Sequence, residues 1–566
     1  MNTRILPDYD IAIVGGGVSG VYTAWRLLLD GPKHSALLKK WQAERGHLKI
    51  ALFEGSDRIG GRLLSAKAPG LPNIICEIGG MRYVSSQTIV RSLVENKLNL
   101  PRHEQAVTEP HNILYLRGKQ LRVSDLSDPD KLPYNLAPDE IAWLKKDVSP
   151  KNTADNFLGY AVEKLFPDIQ KHTGPALREF LDKQVVDDVP LYKHGFWNLV
   201  AAQLSHEAYL LAVTTVGYDC LGYNTNAVDA ICEYYDFTPD VKYYLLNDGY
   251  DAVVWNLQKE FEEAGGQIGL ETWLTSFEEA TLSDNSNGVT LRFRNDEGFQ
   301  TARALVLSMP KRSLSLLEQK GPLFDPTKKT AERVRNMMGA VIPIPLYKMF
   351  IAYDRPWWQK EAVDKGRSIT DLPIRQCYYW GVENGSTDGK PKNQNAILMV
   401  YNDAISSDFW AGLRSMPKGD DDYSNKDTTL KFERKEMPHA GNGVKEDWQK
   451  RLEQNWKQCE APKAMVTEMH RELQIMHNVK DAPEPLEAAY MDWGDDPYGG
   501  AVHFWNSGYQ SSEVLHDMIQ PVEGFPCYVC GEAFSTNQTW VEGALQTAEL
   551  VLRKFDIPQP EWITNE

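Results

Sequence analysis

The residues with the clearest chemical meaning stand near the start of the chain. Gly15, Gly17 and Gly20 form a Gly-x-Gly-x-x-Gly pattern directly after the apolar run IAIV and before VSGVYTAWRLLL. In this context the first glycine permits a tight turn, the second lets backbone approach a pyrophosphate, and the third allows close helix packing. Unpaired N–H groups at the helix N-terminus, Ser19 among them, favour the phosphate. The pattern predicts a β-α-β unit that binds a dinucleotide.

An acidic residue stands where such a unit needs one. The second apolar strand, IALFE, ends at Glu54, whose carboxylate suits a pair of ribose hydroxyls. Glu54 follows Gly20 by 34 positions, where about 20 is usual. The polar stretch 31–48 accounts for the difference, either as an extension of the helix or as an excursion.

A loop rich in arginine and glycine begins at Gly55. Arg58 and Arg62 bracket Gly60 and Gly61, a composition that suits a loop wrapping a second phosphate beside a flat ring. The order GxGxxG, E-x-x-x-R-x-G-G-R and EIGGMR resembles the flavin amine oxidase superfamily, and within it the L-amino-acid oxidases. The resemblance extends over most of the chain.

The resemblance implies an α/β fold, α+β overall, with three domains. A Rossmann-like FAD-binding domain of the amine-oxidase type is expected beside a mixed-sheet substrate-binding domain and a helical domain. The helical spacing of apolar residues across 125–240, and the strands VTLRFR, RALVLSMP, PLYKMFIAY and NAILMVY, agree with this division. The expected boundaries are 8–70, 243–322 and 500–555 for FAD binding, 71–122 and 323–499 for the substrate domain, with a solvated polar loop at 405–447, and 123–242 for the helical domain.

Four residues are expected to act on the substrate. Arg82, in EIGGMRY, matches the family's arginine that clamps a substrate carboxylate, a task that suits a planar fork of donors. Lys348 matches the lysine near flavin N5 that holds a water and assists the reaction with oxygen. Tyr401 matches the tyrosine whose hydroxyl joins the arginine, and Trp540 the wall of the substrate cage. Three of these residues also have a purely structural alternative. Arg82 could form an ion pair between domains, Lys348 could lie at a strand edge and reach solvent, and Tyr401 could be a core or edge residue.

The same resemblance assigns the cofactor, FAD, which we expect to be held non-covalently because the stretch DPYGG contains no cysteine. Trp493 is expected near the cofactor, together with the backbone at Gly500 and Ala501. The family often has glycine where Thr539 stands. The predicted FAD-binding residues are Gly15, Gly17, Ser19, Gly20, Glu54, Gly55, Arg62, Gly79, Gly80, Met81, Arg82, Trp493, Gly531, Glu532, Trp540 and Val541.

The implied reaction is oxidative deamination of an L-amino acid. A hydride passes from Cα to the flavin, and the products are a 2-oxo acid, ammonia and, from molecular oxygen, hydrogen peroxide. An amino-acid 2-monooxygenase, an amine or polyamine oxidase, and a flavin-fold binding protein without catalysis remain alternatives. The side-chain preference is open between basic, aromatic and broad, although Asp219, Glu233 and Asp236 could favour arginine or lysine.

The composition limits the partners. The 61 basic and 78 acidic residues give a net charge of −17, which argues against a nucleic-acid or anionic-membrane surface. Seven scattered cysteines indicate neither a disulfide framework nor a metal site, and Cys527 and Cys530 are expected in the core. With no signal-peptide core and no apolar run of spanning length, we expect a cytoplasmic protein, a homo-oligomer such as a dimer, with leaderless export left open.

Overall fold

Two seven-stranded sheets and a helical region make up the fold, which we describe from a computed structural model. The structure describes residues 6–146, 153–237, 241–283, 285–294, 296, 298–383, 394–414, 444–495 and 497–564. The first sheet has the strand order Gln267–Gly269, Ile50–Phe53, Tyr9–Val14, Gln300–Leu307, Asn287–Phe293 and Leu274–Thr281, and Cys527–Val529 also pairs with Gln300–Leu307.

The glycine turn follows a central parallel strand of the first sheet. Tyr9–Val14 pairs in parallel with Ile50–Phe53 and with Gln300–Leu307, and its apolar residues are buried as a strand covered on both faces requires. One face is covered by three helices, Val18–Leu29, Ala252–Glu263 and Val541–Lys554. The predicted β-α-β unit and the α/β class are therefore confirmed. The strands of this sheet come from three separate stretches of chain. The exact domain boundaries stay a prediction.

The second sheet is mixed, and it contains the two apolar strands predicted after residue 341. All neighbouring pairs are antiparallel except Arg367–Thr370 with Ile113–Leu116. Helices Lys463–His477 and Ile405–Arg414 pack on its apolar face. The strand order is Glu487–Asp492, Leu346–Tyr353, Ala396–Asp403, Gln376–Val382, Arg367–Thr370, Ile113–Leu116 and Lys119–Arg122.

The helical region confirms the spacing of apolar residues seen in the sequence. Its buried side chains form one core, to which every α-helix of the region contributes. The hairpin Val185–Val186 and Val189–Pro190 interrupts the helices and was not predicted. The α-helices are Pro138–Lys145, Phe157–Leu165, Gly174–Asp182, Phe196–Gln203, His206–Val216 and Ala227–Asp236.

Two polar insertions differ from a simple loop. The stretch 31–48 is an excursion of two helices, Gly31–His34 and Ala36–Arg45, separated at Ser35, whose hydroxyl accepts from the Leu38 N–H. The prediction of a loop at 405–447 is wrong for its first ten residues. Residues Ile405–Arg414 form a helix because the fully buried Trp410 stacks on Tyr347, with ring centres 5.6 Å apart. The helix Val444–Gln458 begins within the last residues of the predicted loop, and residues 415–443 lie outside the described residues.

The remaining elements are short strands and connecting helices. Within the described ranges, no helix has both the length and the apolar character to cross a membrane. The strands are Ser65–Ala66, Cys76–Glu77, Tyr83–Val84, Arg102–Glu104, Tyr243–Leu246, Val341–Ile344 and Val502–Trp505, and the helices are Thr88–Ser92, Lys311–Ser315, Lys329–Gly339 and Ser511–Ile519.

Candidate active site

A cavity of about 1860 Å³ opens where the first sheet, the second sheet and the helical region meet. The cavity contains both the predicted dinucleotide site and the predicted substrate site. Of the four residues expected to act on the substrate and the sixteen listed for FAD binding, only Gly20 does not line it, whereas Arg58 and Gly500, also expected near the cofactor, do not line it either. The predicted residues that line it are Gly15, Gly17, Ser19, Glu54, Gly55, Arg62, Gly79, Gly80, Met81, Arg82, Lys348, Tyr401, Trp493, Gly531, Glu532, Trp540 and Val541.

The glycine turn has the shape that a pyrophosphate needs. Gly15 has φ +111°, and a Cβ there would lie 2.0 Å from the Ser308 carbonyl oxygen. A Cβ on Gly20 would lie 1.9 Å from the Gly15 carbonyl oxygen, so Gly20 acts through packing. Gly17 faces open space, and as N-cap of Val18–Leu29 it leaves the first helical N–H groups without a side-chain acceptor. This turn fits the diphosphate of FAD.

Glu54 lies beside the turn, at the end of its strand. Its carboxylate accepts from the N–H groups of Gly16, at 2.6 Å, and Ser56, at 2.8 Å, which fixes its orientation. Arg58 does not line the cavity, and a phosphate-wrapping role for its loop stays a prediction. Its guanidinium donates to the carbonyl oxygens of Gly61, at 2.5 Å, and Leu63, at 3.1 Å, and so holds its own loop closed.

Glu532 connects three segments beneath the cavity. Its carboxylate accepts from Arg62 Nη1 at 3.0 Å, from the His503 N–H at 2.8 Å and Nδ1 at 2.9 Å, and from the Thr539 N–H at 2.9 Å. Burial alone would raise the pKa of Glu532, but His503, Arg62 and these hydrogen bonds lower it to about 2. Glu532 is therefore an ionised anchor for the cavity wall.

Glu532→Gln is expected to destabilise the protein by about 3 kcal/mol and to weaken retention of FAD, because an amide nitrogen then faces Arg62 and His503. The melting temperature and the bound flavin per protein measure both effects. Since its pKa falls from 4.5 to about 2 on folding, the stabilisation is present above pH 4.5 and disappears as pH falls to 2. The exposed Glu523→Gln is the control, and equal melting temperatures would contradict the anchoring role.

The strip Gly79–Met81 borders the cavity closely. A Cβ on Gly79 would lie 2.2 Å from the Arg62 carbonyl oxygen, so a side chain is excluded there. The buried Trp493 donates from Nε1 to the Ile78 carbonyl oxygen at 3.1 Å, which fixes the preceding backbone. The Ala501 carbonyl oxygen accepts from Arg62 at 2.6 Å. Glycine backbone bordering the cavity fits the close approach of an aromatic ring.

Lys348 is buried, not at a strand edge. It lies on Leu346–Tyr353, between two neighbouring strands, and is 2% exposed. Its Nζ donates to the carbonyl oxygens of Glu77, at 3.2 Å, and Gly79. Burial lowers the pKa of Lys348 to about 7, with the Glu77 carboxylate opposing and Arg82 adding to that shift. The amine can therefore gain or lose a proton near neutral pH.

Arg82 has no acidic partner among the described residues. Its side chain is 6% exposed, Nη1 donates to Gln105 Oε1 at 2.9 Å, and Nη2 donates to the Tyr218 hydroxyl at 3.3 Å. Its guanidinium also lies over the rings of Tyr243 and Tyr378, at 4.5 and 5.7 Å. The ion pair considered as its structural alternative is not observed in the described part of the chain. The charge is left available to a ligand.

The tyrosines beside Arg82 are ones that sequence reasoning missed. Tyr218 and Tyr378 share a hydrogen bond of 2.8 Å between their hydroxyls, and both adjoin the guanidinium. Tyr401 lies opposite Lys348 in the strand pairing and contacts Tyr218 edge-on, with ring centres 5.2 Å apart. No spacing rule marks these tyrosines, since Tyr218 lies between Gly217 and Asp219 and Tyr378 follows Arg375, Gln376 and Cys377. Only the packing shows which hydroxyls reach Arg82.

Trp540 and its neighbours form another wall of the cavity. Its ring lies 5.7 Å from that of Phe237. As N-cap of Val541–Lys554, Trp540 provides no side-chain acceptor, so the first N–H groups of that helix remain available, as at the glycine turn. Thr539 has φ +73°, a strained conformation for a residue other than glycine, which fits the glycine often found there in the family.

The three acidic residues singled out in the sequence have different surroundings. Glu233 and Asp236 line the cavity, and the Thr539 hydroxyl donates to Glu233 at 3.5 Å. Burial, followed by the charge of Asp236, raises the pKa of Glu233 to about 8. Asp219 does not line the cavity, because it forms an ion pair of 2.7 Å with Arg375.

The two cysteines before Gly531 are core residues, as predicted. Cys527 and Cys530 are 0% and 2% exposed, and burial raises the pKa of both thiols. The cysteine that lines the cavity is Cys220, and burial also raises its pKa strongly. Non-covalent attachment of the cofactor stays a prediction.

Comparison with known proteins identifies the family. A family model described as flavin containing amine oxidoreductase matches residues 18–421. Aplysianin-A of Aplysia kurodai is 26% identical, covering 96% of this chain and 90% of that protein. A putative L-amino-acid oxidase of Bacillus subtilis (strain 168) is 22% identical, covering 71% and 74%.

A solved structure shares the fold. Putrescine oxidase bound to putrescine superposes with a TM-score of 0.62 at 16% identity, covering 96% of this chain and 98% of the other. Together with the glycine turn, the anchored Glu532 and the glycine strip Gly79–Met81, these similarities show an FAD-binding fold. The chain belongs to the flavin-containing amine oxidoreductase family, and its cofactor is FAD.

Proposed function

We propose that this chain catalyses the oxidative deamination of L-amino acids, with molecular oxygen as the electron acceptor. The observation that supports it is Arg82, a buried guanidinium in the cavity with no carboxylate partner among the described residues. A buried cation repels a substrate that carries only amines, whereas a substrate carboxylate compensates its charge.

The side chains of this cavity can bind and orient such a substrate. Arg82 and the Tyr218 hydroxyl hold the carboxylate, and Trp540 with Phe237 covers the apolar part of the substrate. FAD, when bound in this cavity, would supply a hydride acceptor that molecular oxygen can reoxidise. The substrate amine releases its proton to solvent on binding, so no side-chain base is required.

Relatives support the amino acid more than the amine. The Bacillus subtilis relative is named a putative L-amino-acid oxidase, and its similarity covers 71% of this chain. Putrescine oxidase, which is named for a diamine, is similar at 16% identity and therefore informs the fold alone. The buried Arg82 favours the amino acid over a diamine.

A product assay with the purified holoenzyme tests the proposal. Each of the twenty L-amino acids and a set of amines is supplied, and hydrogen peroxide, ammonia and 2-oxo acid are measured. Peroxide with a stoichiometric 2-oxo acid is the expected result. An amide and carbon dioxide without peroxide would identify a 2-monooxygenase, and peroxide from amines alone would identify an amine oxidase.

We further propose that Glu233 favours substrates with a cationic side chain. Glu233 lines the cavity and forms no ion pair with a lysine or arginine among the described residues. Glu233→Gln is expected to lower kcat/KM for L-lysine and L-arginine roughly tenfold or more, the effect of losing a charge-assisted hydrogen bond, and to leave L-leucine unchanged.

The pH dependence has a defined sign. Because the pKa of Glu233 is about 8, its anionic fraction grows as pH rises from 7 to 9, while the substrate side chain stays cationic. The ratio of kcat/KM for L-lysine to that for L-leucine should therefore rise across that range, and should be flat in Glu233→Gln. The surface variant Glu179→Gln is the control. A ratio that is equal in the two enzymes at every pH would refute the role of Glu233.

A further inference from the structure

A second arginine, Arg367, lines the cavity beside Arg82. It begins the strand Arg367–Thr370 and pairs with Tyr378 on the neighbouring strand. Its Nη1 donates to Gln376 Oε1 at 3.0 Å, and its guanidinium carbon lies 5.0 Å from the centre of the Tyr218 ring. These contacts orient Arg367 without neutralising it.

Neither arginine is compensated by an acidic residue in the described part of the chain. The Nε atoms of Arg82 and Arg367 are both buried without a hydrogen-bond partner there. Both guanidinium groups lie beside Tyr218, because Arg82 Nη2 donates to its hydroxyl at 3.3 Å and the Arg367 guanidinium carbon lies 5.0 Å from its ring centre. The two guanidinium groups therefore face the same volume of the cavity. Two buried cations without an anion are unfavourable, so this volume suits a ligand that carries negative charge.

The pKa of the Tyr378 hydroxyl is affected by the positive charge of both arginines. Burial raises the pKa of Tyr378, but the charges of Arg82 and Arg367, together with hydrogen bonds from Tyr218 and Arg82, outweigh burial and lower it below its usual range. The hydroxyl also lies 2.8 Å from that of Tyr218. An oxygen atom that carries negative charge is thus stabilised at this point by two guanidinium groups at once.

We propose that Arg367 is a second carboxylate-binding residue, and that the substrate's α-carboxylate lies between Arg82 and Arg367 beside the tyrosine hydroxyls. The inference rests on the proposed function for the identity of the substrate. A single carboxylate suits the site because its two oxygens can accept from two guanidinium groups. A substrate with a second carboxylate on its side chain would need Arg82 and Arg367 to face separate volumes. Because both arginines lie beside Tyr218, one carboxylate fits the site better than two.

Binding of 4-methylpentanoate, which is leucine without its amine, tests this by calorimetry on the FAD-loaded enzyme. Arg367→Met is expected to weaken the Kd about 10²-fold, the loss of one charge-assisted pair, and Arg367→Lys less. In turnover, Arg367→Met should raise KM for L-leucine with little change in kcat, while 3-methylbutan-1-amine, which has the same side chain without a carboxylate, loses nothing. The exposed Arg471→Met should match the parent in every measurement.

Two results would overturn the inference. One is an unchanged Kd in Arg367→Met, or in Arg367→Lys should the methionine variant fail to fold. The other is a loss confined to L-glutamate and L-aspartate, which would place a side-chain carboxylate at Arg367. If the parent binds 4-methylpentanoate through Arg367 but forms no peroxide with any L-amino acid, the carboxylate site stands and the proposed function fails.

Discussion

Arg82→Met is expected to lower kcat/KM for L-amino acids roughly 10³-fold, because removing one partner of a buried charge pair costs about 4 kcal/mol. The loss arises from the substrate, whose carboxylate would be left in the cavity facing Tyr218 and Tyr378 without its main cation. Steady-state kinetics with L-leucine and 3-methylbutan-1-amine separate this from general damage. The amine should keep or gain activity, since the repelling charge has gone.

Arg82→Lys and Arg102→Met complete the comparison. The lysine keeps the charge but not the planar fork, so an intermediate loss is expected. Arg102 is exposed and pairs with Glu95 outside the cavity, so its replacement should change nothing. If Arg82→Met lowered amine and amino-acid turnover equally, Arg82 would have a structural role, and the preference for amino acids would lose its support.

Local patterns allowed much of the site to be predicted from the sequence. The glycine turn, Glu54 and the final Gly531–Glu532 pair could be placed because each follows a short apolar strand, and the carboxyl ends of parallel strands meet at one edge of a sheet. Lys348 could be singled out because it interrupts an apolar strand, and the structure shows that its side chain is buried. The spacing of apolar residues distinguishes strands from helices and so shows where a strand ends.

Residues brought together by packing alone could not be predicted. Arg367, Tyr218 and Tyr378 come from two strands and a helical region that meet only in the folded chain, and no local pattern marks them. Asp219 and Glu233 look alike in sequence, yet Asp219 forms an ion pair with Arg375 and Glu233 lines the cavity. Which charges find partners is decided by tertiary contacts.

Lys348→Met is expected to slow reoxidation of the reduced enzyme by oxygen roughly 10²-fold, the effect of removing one electrostatic donor from a dry site. Reduction by the amino acid under nitrogen should change far less, because Arg82 and Tyr218 still hold the substrate. Stopped-flow mixing measures the two half-reactions separately. Equal slowing of both would contradict a role in the oxygen step, and the exposed Lys193→Met is the control.

The pH dependence gives Lys348 a second, independent test. Oxygen reduction places negative charge in the cavity, and a protonated amine stabilises it, so reoxidation by the parent should slow as pH rises through 7, the pKa of Lys348. Lys348→Met should lack that step. The burial of Lys348 also affects the free energy of unfolding. Because its pKa is lower in the folded state, the folded state binds fewer protons than the unfolded state between pH 7 and pH 10.5, so the stability of the parent increases as pH rises across that range. Lys348→Met should not show this gain, and its melting temperature should equal or exceed the parent's at pH 7, because burying the lysine costs free energy that methionine does not.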